Sequence, residues 1–279
     1  MTAPRAPKGG YVGGVLGLWR AWAQRGWQVL LASVMLLVLA VSPRVYTPAH
    51  RAAVARQVMQ ATWPHVLWFS LGATLLGVVL IRIVVVTAQS YGLSQYALEM
   101  VVRVLVLELL PLMAALFVAL RWSLPATAQL ARTLRKASQG GQVGQVASKR
   151  PVPDAVTWLT QEALPRALAG VFAVWLLAAV SCVLGLVMAY LLVYGWTPWG
   201  LDAYTHMVGR VFSPAVTLIF VLKTCAFSVA VAVVPVAGLS APVVWCNPDA
   251  LRALEMQGLV RMTGLLLLVE VVSLMGNYY

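Results

Sequence analysis

Six charged side chains stand inside otherwise apolar runs of this chain: Arg82, Glu99, Arg103, Glu108, Lys223 and Glu270. A charge near mid-membrane costs about 2.5–3.5 kcal/mol even on the lenient insertion scale, so such groups face protein or water. They mark either ion pairs that hold a bundle together or a polar path for a substrate. Half of them fall in one stretch, Glu99–Arg121, which reads E-M-V-V-R-V-L-V-L-E-L-L-P-L-M-A-A-L-F-V-A-L-R. Glu99 precedes Arg103 by four residues, the better orientation for a helical ion pair. Pro111 follows Glu108 closely and cannot donate to the carbonyl of Leu107, which therefore needs another partner. Arg103 is five residues from Glu108, off its face of an α-helix, so Glu108 requires a cation from another span. Lys223 is the candidate. Three acids against three bases permit full internal pairing, and a transporter's cavity would use the same residues. Spacing alone leaves both readings open.

Chemistry of other kinds finds little support. No G-x-x-x-x-G-K-[ST] loop occurs, and the glycines and lysine of Gly140–Lys149 do not have that spacing, so this chain cannot cradle ATP phosphates by itself. His50, His65 and His206 are scattered, and none stands in H-E-x-x-H or beside a nucleophile, which argues against an intramembrane hydrolase. Each reads as an interface residue. Cys182, Cys225 and Cys246 lie in or beside apolar runs without metal-ligand spacing, so neither a disulfide framework nor a metal centre is expected. No catalytic residue, cofactor or metal is expected.

The elements that must position these charges are membrane helices. Of 279 residues 61% are hydrophobic and 10% charged, where roughly 25% charged is usual for a soluble domain. The apolar runs are continuous rather than alternating, which excludes a β-barrel. The expected fold is all-α and polytopic, with about five transmembrane helices. The net charge of +12 lies between apolar runs, so it reports topology and anionic-lipid contact rather than nucleic acid.

Two regions follow from the charge map. Residues 1–62 form an N-terminal segment of interfacial and re-entrant helices. Arg5, Lys8, Arg20 and Arg25 alternate there with Trp19, Trp22 and Trp27, and the apolar run Val29–Val41 is too short to cross. Residues 63–279 form the transmembrane domain. Its spans are read as Val66–Val86, Glu99–Arg121, Leu168–Tyr194, Val211–Val236 and Leu265–Gly276. The uncharged Thr87–Ala97 and the aromatic Gly195–Arg210 are read as external loops, and a turn containing Pro235, Pro242 and Pro248 precedes the last span. The segment 121–166 has seven basic residues against Asp154 and Glu162, which places it in the cytoplasm. An N-terminus inside and five spans put the C-terminus outside.

The stretch Leu107–Arg121 resembles the L-R-E-L-G-P-x-x-x-A-L-x-x-A-G-R signature of the MlaE-type permeases, with Glu108, Pro111, Ala115, Leu116, Ala119 and Arg121 on matching positions. Ala88–Glu99 is similar to the family's L-Q-G-Y-x-Q-L-S-x-F-G-A-E, and Leu164–Gly170 to its V-P-R-V-L-A-G. Lys223-Thr224-Cys225-Ala226-Phe227 resembles K-S-x-x-F, and Glu270 stands where the last helix usually has an acid. The matches keep their order over roughly residues 60–275. Leu107 replaces an arginine, and Leu110 and Leu120 replace glycines that let helices approach closely. The A-E-L-G-T-M segment reads A-Q-L-A-R-T here, with Gln129 at the glutamate position.

The resemblance implies the permease subunit of an ABC transporter in a bacterial inner membrane, moving phospholipid or another lipid between that membrane and the periplasm. It implies a homodimer around a lipid-sized cavity, separate ATP-binding cassette ATPase subunits inside and an MCE-domain protein outside. Glu99, Arg103, Glu108, Pro111, Lys223 and Glu270 would line or brace the cavity. Leu124, Ala128, Gln129, Arg132 and Arg135 would lie on the helix that couples to the ATPase. The altered coupling segment and lost glycines keep a non-transporting scaffold open, and Glu108 or Glu270 as a proton site keeps an ion-coupled secondary transporter open.

Overall fold

The computed structural model describes residues 48–123, 125, 164–238 and 248–278, and among these there is no strand. The expected interfacial and re-entrant segments before Pro48 lie outside the described residues. Among the described residues five helices are long and apolar enough to cross a membrane: Val54–Ser90, Tyr96–Ser123, Leu164–Tyr194, Pro214–Val234 and Gly258–Gly276.

Helix α1 runs unbroken from Pro48 to Ser90 with Pro64 inside it, so the first span joins the end of the N-terminal segment without a turn. Only a short turn separates it from α2, Ser94–Val101. Gly92 supplies the left-handed residue of that turn at φ 72°, where a side chain would strain the backbone. The amide of Leu93 closes it on Ala88 O at 2.8 Å. The expected loop at Thr87–Ala97 is thus mostly helix, because an uncharged segment needs only one glycine to reverse direction.

The second span leaves α-helical winding twice. After α2 the residues Val102–Leu109 are π-helical, α3 covers Leu110–Val118, and Ala119–Ser123 is π-helical again. Helix α4, Leu164–Tyr194, packs along α1 and also touches α3 and the fourth span, so it is the axis of the bundle. Its inward face is built from Ala169, Ala173, Ala178, Gly185 and Ala189, small residues that bring helices close. Leu110, at a position where the resemblance expects glycine, is accommodated from across the contact. A Cβ on Gly185 would lie 2.8 Å from Leu110 Cδ1 and 3.5 Å from Val106 Cγ2. The missing glycine of the second span is matched by one on the third.

The aromatic segment after Tyr194 is not a loop throughout. A 3₁₀ turn at Pro198–Gly200 leads into α5, Leu201–Val211, whose Tyr204 and Val211 turn inward. Asp202 in its first turn and Arg210 in its last complement the helix dipole. The spacing Tyr204, Val208, Val211 carries an apolar face that the charges and aromatics of the segment obscure. Helix α6, Pro214–Gly238, contains Pro235, which therefore lies inside the helix and not in the expected turn. Helix α7, Pro248–Tyr278, packs on α6 and starts at Pro248, well before the expected start at Leu265. A proline suits a helix start because its missing donor would be unpartnered there anyway.

Candidate functional site

The buried charges come together where three spans meet. Lys223 of α6 is 3% exposed, and its ammonium donates to Glu108 Oε2 from the π-helical segment and to Glu270 Oε1 of α7 at 2.9 Å. The second oxygen of Glu270 lies 2.8 Å from the same nitrogen. Sequence reasoning pairs Glu108 with Lys223, and that pair forms. Glu270, which the resemblance puts in the same network without pairing it, joins them, so one ammonium holds two carboxylates from two other helices. The ammonium also lies 5.7 Å from the centre of the Phe227 ring, whose face favours a cation.

Pro111 explains part of the local winding. In an α-helix its amide would serve Leu107 O, and in the preceding i→i+5 pattern it would serve Val106 O. Both carbonyls accept from other spans. Lys223 Nζ donates to Leu107 O at 3.4 Å, and the Cys182 thiol donates to Val106 O at 3.4 Å. The expectation that Leu107 O needs another partner is met by the same lysine that binds Glu108. Cys182 is the residue sequence reasoning missed, and its one signal was a polar atom within a mid-span apolar run.

Glu99 and Arg103 form the expected pair at 3.7 Å, with side chains 30% and 33% exposed. Arg103 and Glu108 do not lie on opposite faces as an α-helix would have them. Hydrogen bonds that skip five residues bring positions five apart toward one side. Charge therefore alternates in sign from Glu99 through Arg103, Glu108 and Lys223 to Glu270. Arg82 is exposed on α1, and no ion pair joins it to this set among the described contacts. Leu124, Ala128, Gln129, Arg132 and Arg135 lie outside the described residues.

Two of the histidines are placed as interface or surface residues. His65 meets Phe117 edge-on with ring centres 5.9 Å apart, tying α1 to α3. His206 lies 3.8 Å from Asp202 on the exposed side of α5. At that end of the bundle Tyr204 donates to Leu186 O at 2.8 Å. Burial, and secondarily Tyr194, push its phenol up to about 12, so it stays a neutral donor. Its ring packs against Tyr190 with centres 5.2 Å apart and closes the bundle over the second span.

A helical bundle whose described residues hold five apolar spans, three of them tied by two carboxylates on one lysine, defines a polytopic membrane protein. The sequence matches the model of the family "Permease MlaE" over residues 54–274, and the chain belongs to that family. It is thus a membrane permease subunit of an ABC-type transporter, a transport subunit rather than a catalytic enzyme. No curated protein matches it.

Proposed function

We propose that this permease moves phospholipid or another lipid between the inner membrane of a bacterium and the periplasm. It does so as a pair of copies around a lipid-sized cavity. Separate ATPase subunits act on the cytoplasmic side, and an MCE-domain protein receives or delivers lipid outside. The observation that carries this reading is the Glu108–Lys223–Glu270 cluster, with Pro111 and two π-helical segments in the same span. Winding that departs from the α-helix concentrates at functional sites. A charge cluster joining three spans lets movement driven at one end of the bundle reach the second span as a unit. Transport is mechanical: ATP-driven closure reshapes the cavity, and this chain breaks no bond.

The test is reconstitution with an ATP-binding cassette ATPase and an MCE-domain protein from the same organism. ATP-dependent movement of a fluorescent phospholipid between proteoliposomes and the MCE protein is the expected result. Replacing Arg132 and Arg135 by glutamate is expected to release the co-purifying ATPase while the permease keeps its elution volume and melting temperature. If no ATPase co-purifies with the wild type in mild detergent, the scaffold reading takes over. Orientation is checked separately, after the native cysteines are replaced by serine. In intact cells a cysteine at Gly141 is expected to resist a membrane-impermeant thiol reagent and one at Ser94 to react. The opposite labelling would reverse the topology and remove the proposed arrangement of ATPase inside and MCE protein outside.

A further inference from the structure

Arg103 is less well satisfied than the cluster below it. Its closest carboxylate oxygen, on Glu99, lies 3.7 Å away, beyond hydrogen-bonding reach. Its Nε is shielded from solvent and has no acceptor. A guanidinium offers five donors in a rigid fork, and leaving the shielded one unmatched is costly. Lys223, by contrast, has two carboxylates and a carbonyl. Within one charge series the inner cation is fully engaged and the outer one is not.

The surroundings indicate what completes it. Arg103 lies nine residues from Ser94, the start of α2, roughly 13 Å along the axis at the α-helical rise. Side chains tilt toward the start of their helix, so a long arginine there climbs toward the Ser94 end of the span. That carries the guanidinium away from the middle of the span and toward its Ser94 end. On the same helix Tyr96, Met100 and Val104 are 55%, 58% and 52% exposed, an apolar surface beside the one-third-exposed cation. A phosphate with acyl chains attached matches both features: two oxygens for the fork, and hydrocarbon for Met100 and Val104.

We propose that Arg103, only loosely paired with Glu99, binds the phosphate of a phospholipid whose chains lie against Met100 and Val104. This deepens the lipid-permease reading and takes its ligand class from it. Glu99 holds the guanidinium loosely enough for a phosphate to displace it from the fork, and Glu108 lies one π-helical turn further in. The site is therefore an entry or exit point on the side of the second span, ahead of the buried cluster.

The experiment uses the full chain in detergent with dihexanoyl phosphatidic acid as probe, and dihexanoylglycerol and inorganic phosphate as comparisons. Affinity is read from the rise in melting temperature with ligand concentration. Only the phosphatidic acid is expected to stabilise the wild type. Arg103→Gln is expected to weaken it about tenfold or more, the loss of a charge-assisted contact. Arg103→Lys keeps the charge but not the fork and is expected to fall between. Glu99→Gln removes the competing carboxylate and is expected to bind at least as tightly as the wild type. Equal loss in Glu99→Gln and Arg103→Gln would make the pair a structural tie and overturn the proposal. So would unchanged affinity in Arg103→Gln, or no stabilisation of the wild type, or equal stabilisation by inorganic phosphate. Reconstituted transport separates the two readings. ATP-driven lipid movement that persists while Arg103→Gln binds normally removes this site alone. Binding that follows the expected order without any transport leaves the site and removes the proposed lipid-transport function.

Discussion

Lys223→Met is expected to lower the melting temperature in detergent further than either Glu108→Gln or Glu270→Gln. The single ammonium serves both carboxylates and Leu107 O, so removing it strands three acceptors in the bundle. Breaking a buried pair costs about 3–5 kcal/mol, because the remaining charge keeps its desolvation penalty without its partner. Removing one acid instead leaves Lys223 with the other, and the expected loss is nearer 1–3 kcal/mol. The triple change Glu108→Gln, Lys223→Met and Glu270→Gln leaves no charge in the cluster and is expected to recover most of the stability lost by Lys223→Met. Thermal unfolding followed by size exclusion measures the series, and transport by the triple variant adds a second readout. Recovered stability with recovered transport would make the cluster a brace only, whereas recovered stability without transport places it on the working path. Strictly additive losses would mean that the three side chains act independently, contrary to their shared nitrogen.

The parts of this site that were legible in the sequence are those fixed by short-range rules or by intolerance of unpaired charge. The Glu99–Arg103 pair follows from a four-residue spacing, and it forms. Glu108 had to find a cation from another span, and Lys223 is that cation. The π-helical winding was not legible, because it depends on what Val106 O and Leu107 O meet across the bundle. Those partners, Cys182 and Lys223, are 76 and 116 residues away. Helix α5 was hidden for a different reason. Its apolar face is only a few residues wide, and exposed Trp196 and Trp199 just before it give the segment the look of a membrane-edge loop. Pro235 and Pro248 read alike as turn residues, yet one lies inside α6 and the other opens α7. Proline sets a local constraint, and the neighbouring helices decide which element satisfies it.

Gly185→Val is expected to be among the most damaging changes that touch no charge, and Leu110→Ala is expected to repair it. A Cβ at position 185 already falls 2.8 Å from Leu110 Cδ1, and valine adds two further carbons toward Leu110 and Val106. Leu110 is 1% exposed and packed in the core, so its side chain has little room to turn away. Overpacking of this kind costs about 1–3 kcal/mol, and the strain here bears on the π-helical segment that carries Glu108. Leu110→Ala alone opens a void opposite Gly185 and is expected to cost about 2–5 kcal/mol. Together the two changes exchange a large–small contact for a small–large one, so the double variant is expected to melt well above the additive sum. The same double variant keeps Glu108 on its helix face, and its transport is expected to follow its stability. Additive losses would show that the second and third spans do not meet through this contact. In that event the close approach built on Gly185 would fail, and with it the account of how Leu110 is tolerated where the family has glycine.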